Sequence, residues 1–100
     1  MNLPHSQTLT ILAIENYSGF SENQKQILKT IINFENEIPS DVILTVLGLS
    51  KQAFHFSMKR LLEEGYIVRK KVKVYLYKIN EAKLLSVVDT YNTQQLLLKK

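Results

Sequence analysis

The sequence predicts a mainly α fold carrying one small β-hairpin, an α+β arrangement. Two observations carry that reading. Apolar residues recur at helical spacing through most of the chain, as they do on helices with one buried side. The exceptions are YIVRKK (66–71) and VYLYKIN (74–80), where β-branched and aromatic residues gather in two short runs, the mark of paired strands. At 100 residues, 45% hydrophobic and 22% charged, the composition suits one folded domain rather than a disordered segment.

A first helix is expected over His5 to Asn16, where Leu9, Leu12 and Ala13, followed by Tyr17 and Phe20, keep helical spacing. Ser6 is its expected N-cap and Gly19 its stop. The β-branched run TLTILAI would also suit a strand, and the residues alone leave that alternative open. Ser21 and Gln24 announce a second helix through an S-x-x-Q capping box, and Ile27, Leu28, Ile31 and Ile32 form its apolar stripe. It fades between Asn33 and Glu37, ahead of Pro39. Ser40 opens a short third helix, with Asp41 suited to the dipole of its first turn. Ile43, Leu44 and Leu47 face inward, and Gly48 closes it.

Leu49 and Ser50 start a fourth helix, KQAFHFSMKRLLEEG, which Gly65 ends. Phe54, Met58, Leu61 and Leu62 share its buried side. Between the two strands, the link through Val72 and Lys73 lacks the Asn-Gly or Gly-X pair of two-residue hairpins, so its turn geometry stays undetermined. A last helix is expected from Glu81 to Leu98, with Leu84, Leu85, Val88 and Tyr91 on its apolar side. Two helices joined by a tight Gly-containing turn, with a basic hairpin directly behind, make a helix-turn-helix with a wing. The expected organisation is a single domain over 1–100, with the helix-turn-helix and wing at 20–80 and flanking helices at 1–19 and 81–100.

Several function classes drop out at this level. The chain has no cysteine and two histidines, so no disulfide, metal site or other cofactor is expected. Glu63 and Glu64 do not make an acid/base pair, because adjacent helix residues point ~100° apart. No Ser/His/Asp set and no Gly-rich phosphate loop is present, and an enzyme is not expected. No apolar run approaches the ~20 residues of a membrane span. The start MNLPHSQTLT lacks the basic and apolar regions of a signal peptide, so no membrane association and a cytoplasmic address are expected.

Charge is distributed unevenly. The net charge is +4, yet residues 50–80 hold eight basic residues against two acidic ones, leaving the remainder of the chain with five basic against seven acidic. A one-sided positive surface is what phosphate contact requires, although a solvated lysine-rich face would have the same composition.

The stretch LGLSKQAFHFSMKRLLEEGYIVRKKVKVYLYKI resembles the helix-turn-helix and wing of MarR-type and ArsR-type bacterial transcriptional regulators. Leu49-Ser50 opens the pattern, Leu61 and Gly65 hold the helix end, Tyr66-Ile67 start the wing, and Tyr75, Tyr77 and Ile79 match its returning strand. The resemblance covers roughly residues 40–80 and implies a winged-helix fold, DNA as partner, and a homodimer joined through the terminal helices.

Helical geometry then nominates the contact residues. With Phe54 at the centre of the buried side, the opposite side carries Gln52, Phe56, Lys59 and Glu63, flanked by His55 and Arg60. Gln52 suits an adenine edge, while Lys59 and Arg60 suit guanine or phosphate. Ser50 and Lys51 sit at the positive N-terminus of the helix. Arg69, Lys70, Lys71 and Lys73 on the wing suit backbone phosphates, and strand alternation sets Lys70 opposite Arg69 and Lys71. Phe56 departs from the family pattern, whose matching position is commonly basic or polar. It suits a thymine methyl, an unpaired base, or a place under the wing or against a partner subunit.

The leading expectation is a small homodimeric repressor that reads duplex DNA with helix 50–64. A second is an accessory protein for replication, conjugative transfer or maintenance of a plasmid, phage or other mobile element, binding single strands. A third is a winged helix used for protein interaction.

Overall fold

The computed structural model describes residues 4–34 and 37–98. Its first helix, α1 (Pro4–Glu15), starts on a proline, which loses nothing there because first-turn N–H groups have no partner inside the helix. This moves the start upstream, so Ser6 lies within the helix instead of capping it, and the strand alternative for TLTILAI gives way. The helix ends at Glu15, before the expected stop at Gly19. Ala13 and Ile14 are buried while Leu12 is exposed, because α1 is covered by two neighbours, the second and last helices.

Helix α2 (Glu22–Asn33) forms the expected capping box. The Gln24 N–H donates to Ser21 Oγ at 3.2 Å, and the Ser21 N–H donates to Gln24 Oε1 at 2.8 Å. Ile27, Leu28 and Ile31 are buried at the middle of the fold, where α2 meets α1, the third and fourth helices and the sheet. Residues 35–36 of the expected fade lie outside the described residues.

Strand β1 (Ile38–Pro39) follows, an element the sequence reading lacks. Helix α3 (Ser40–Leu47) starts with Pro39 in the cap position, so Ser40 is its first helical residue and not its cap. The proline offers no side-chain bond, and the Asp41 carboxylate instead accepts from the Val42 N–H at 3.1 Å. Gly48 closes α3 at φ 65°, the left-handed conformation that ends helices most cheaply at glycine.

Helix α4 (Lys51–Glu63) is capped by Ser50, whose Oγ accepts from the Ala53 N–H at 3.1 Å. At its other end Gly65 takes φ 83°, the Tyr66 N–H donates to Leu61 C=O at 3.0 Å, and the Gly65 N–H donates to Leu62 C=O at 3.1 Å. That pair of bonds is a Schellman motif, and it turns the chain directly into the sheet. Strands β2 (Ile67–Lys71) and β3 (Tyr75–Ile79) pair antiparallel with Lys71 opposite Tyr75 and Ile67 opposite Ile79. The link is three residues, Val72 to Val74, so Val74 belongs to the turn and not to the strand. It is held by the Val72 N–H donating to Val74 C=O at 3.2 Å. β1 adds to the far side of β3, Ile38 opposite Tyr77, giving the order β1-β3-β2.

Helix α5 (Glu81–Leu98) has the predicted bounds and starts from Asn80, whose Oδ1 accepts from the Lys83 N–H at 3.3 Å. Leu84 and Val87 are buried, and Val88 and Tyr91 pack half-buried against the core as expected; Leu85, also expected on the apolar side, is exposed. The reason is α1, which lies along α5 and selects the side carrying Leu84 and Val87. Tyr66 joins these parts. Its ring meets Phe20 edge-on at 4.9 Å and lies under the Lys83 ammonium at 5.3 Å. Burial, with the Tyr17 hydroxyl adding to it, pushes the Tyr66 phenol up to about 12. Helices with one three-stranded hairpin sheet behind α4 make this a winged-helix fold.

Candidate nucleic-acid interface

The surface that matters is organised by a single buried ring. Phe54 is wholly buried, and Ser57, Met58 and Leu61 continue its side of α4 toward α2 and the sheet. At 100° per residue the remaining positions must face out, and Lys51, Gln52, His55, Phe56, Lys59 and Arg60 are all exposed. Phe56 is 75% exposed, so the helix is not rotated to tuck it under the wing. The His55 ring stands edge-on to Phe54 at 5.5 Å. Arg60 reaches forward to Glu64 at the end of the helix at 3.8 Å, an exposed ion pair of little energetic weight.

The hairpin is docked to the same helix. Tyr77 is buried against Phe54, ring centroids 6.2 Å apart and nearly perpendicular. Register then assigns the wing cations to two sides. Arg69 is opposite Tyr77 and Lys71 opposite Tyr75, so both share the sheet face that meets α4. The Arg69 guanidinium lies 4.3 Å from the Tyr75 ring centre and the Lys71 ammonium 5.5 Å, so Tyr75 holds both side chains by cation–π attraction. Lys70 points to the other face and pairs with Glu37 at 3.1 Å. Lys73 lies at the exposed tip between Val72 and Val74.

Between helix and wing runs a groove lined by His55, Met58, Lys59, Leu62, Glu63, Arg69 and Tyr77. The structure therefore brings Lys59, His55 and Arg69 together, leaves Lys51 and Gln52 at the capped start of α4, and sets Lys70 apart. Sequence reasoning missed the part of Tyr75 in holding Arg69 and Lys71, and that of Glu37 in holding Lys70. The first was readable from the hairpin register once the turn length was known. The second depends on β1, which brings residue 37 beside the wing.

Comparison with known proteins agrees with this geometry. Residues 20–68 match the family model described as winged helix-turn-helix DNA-binding. No curated protein matches the chain. Among solved structures, a protein from the thermoacidophilic archaeon Sulfolobus tokodaii is similar with a TM-score of 0.58 at 22% identity, over 95% of this chain and 99% of that one. A MarR transcriptional regulator from Methanosarcina mazei Go1 is similar with a TM-score of 0.60 at 18% identity, over 96% of this chain and 68% of that one.

Proposed function

Since residues 20–68 form a winged helix-turn-helix of the DNA-binding kind, we propose that this chain is a transcriptional regulator that inserts α4 into the major groove of duplex DNA. The observation that carries the reading is the meeting of two cation sets. Lys59 of α4 and Arg69 of the wing line one groove with His55, and Lys71 shares the sheet face of Arg69. A groove-bound helix contacts base edges through its first turns while flanking cations hold the phosphates. The capped start of α4, with Ser50 and Lys51, offers a further phosphate seat. Lys73 at the wing tip and Arg60 add to affinity, and Lys70, tied to Glu37, adds least. The simplest regulatory action is repression, by occupying an operator in or beside a promoter, and the cytoplasm or nucleoid is where such a protein works.

Fluorescence anisotropy with a duplex selected from a random pool tests this reading. Reversing the charge of Lys59, Arg69 and Lys71 together should abolish binding. Singly, Arg69→Ala should weaken binding and lower the slope of log affinity against log salt by about one phosphate's worth, while Lys70→Ala changes it less. A wild-type protein that binds no duplex would sink the proposal.

A homodimer completes it. Leu85 is 60% exposed and Leu96 66%, and their spacing of three helical turns sets them on one side of α5, with Leu97 and Leu98 exposed at its end. A two-fold dimer through this end of the molecule would present two copies of α4 to successive faces of a palindromic site.

A further inference from the structure

We propose that Phe56 reads the C5-methyl group of thymine, and is a specificity-determining residue of α4 beside Gln52. The inference rests on the duplex-binding reading above and names what one position of that surface recognises. Phe56 is 75% exposed in the middle of an otherwise polar helix face. Its neighbours one turn away are Gln52 on one side and Lys59 and Arg60 on the other, all exposed. Such a setting does not suit a protein partner, because the centre of a protein interface is depleted of charge and needs an apolar patch rather than one ring among polar and charged side chains.

Duplex DNA fits the same setting. Its major groove is walled by phosphates, which the cations complement, and the thymine methyl is the one apolar group that a base pair displays there. A phenylalanine set between a glutamine and two cations matches that mixture of surfaces group by group. Gln52 and Phe56 are ~6 Å apart along the helix axis, so on a helix lying along the groove they address different base pairs. The selected site should accordingly contain a thymine at a position separate from the base that Gln52 reads.

The test uses the full chain, wild type and Phe56→Ala, with duplexes selected from a random pool and a single-stranded pool in parallel. In the wild-type consensus duplex, each thymine is replaced in turn by deoxyuridine, which deletes only the methyl. At one thymine the replacement should weaken wild-type binding by about fourfold, the worth of one buried methyl. Phe56→Ala should bind the original duplex with a similar loss and should be indifferent to that replacement, whereas Phe56→Leu should retain part of the preference. Neither variant should alter thermal stability, since the ring packs on little within the chain.

Equal sensitivity of wild type and Phe56→Ala to deoxyuridine at every position overturns the thymine contact and leaves duplex binding intact. So does a wild-type protein that binds duplex with no thymine preference. Tighter binding to the single-stranded pool, lost in Phe56→Ala, would instead assign the ring to base stacking. Absence of wild-type duplex binding removes the proposed function itself.

Discussion

Phe54 and Phe56 lie two positions apart on one helix, and one is wholly buried while the other is three-quarters exposed. Hydrophobicity alone cannot separate them; the ~100° step per residue does. The same arithmetic predicted the outward set from Gln52 to Arg60, and all of it is exposed. Tyr66 is a residue whose chemistry became visible only in the fold. Its phenol is held neutral up to about 12, against an ordinary value of 10.0, chiefly by burial. Between those values the unfolded chain gives up this proton while the folded chain keeps it. Stability from Tyr66 is therefore full below pH ~10 and is lost as pH rises toward 12. Thermal melts across that range should show Tm falling with pH more steeply in wild type than in Tyr66→Phe. Parallel curves for the two proteins would show that another group is responsible.

At the scale of elements, the signals that the sequence carried were local ones. The Ser21–Gln24 box, the Ser50 cap and the glycines at 48 and 65 each act within a few residues, and each is in place. β1 was illegible because it is two residues long and one is a proline; only pairing with β3 makes it a strand. The wing turn was undetermined for a related reason. It is built with no glycine, and no non-glycine residue among those described has positive φ. Gly65 offers a quantitative check. A Cβ there would meet nothing within 4 Å, so Gly65→Ala carries only the conformational cost of φ 83°. That cost is about 1–2 kcal/mol. Urea denaturation should show a lower midpoint with an unchanged slope, and an unchanged midpoint would mean the Schellman turn contributes nothing to stability.

For the molecule as a whole, α1 packs on both α2 and α5. The extents are 50 × 29 × 22 Å, long for a chain of this length. The sequence alone gave two uses for the apolar terminal helices, packing within the chain and pairing between chains. The first is met by Leu84 and Val87, and the exposed Leu85 and Leu96 to Leu98 are left for the second. Sedimentation of the full chain should give a dimer, and Leu85→Glu with Leu96→Glu should give a folded monomer with weakened binding to a palindromic duplex. A wild-type monomer at high concentration would rule out this use of α5.

By itself the sequence determined the helices, the hairpin, the outward side of α4 and the concentration of positive charge behind it. These follow from periodicity, caps and composition, which act over a few residues or need no geometry. Only the tertiary structure decided that β1 exists, that Arg69 and Lys71 face α4 while Lys70 is held by Glu37, and which sides of α5 are covered. Those outcomes depend on strand register and on which helix lies against which, contacts between residues far apart in the chain that no local pattern encodes.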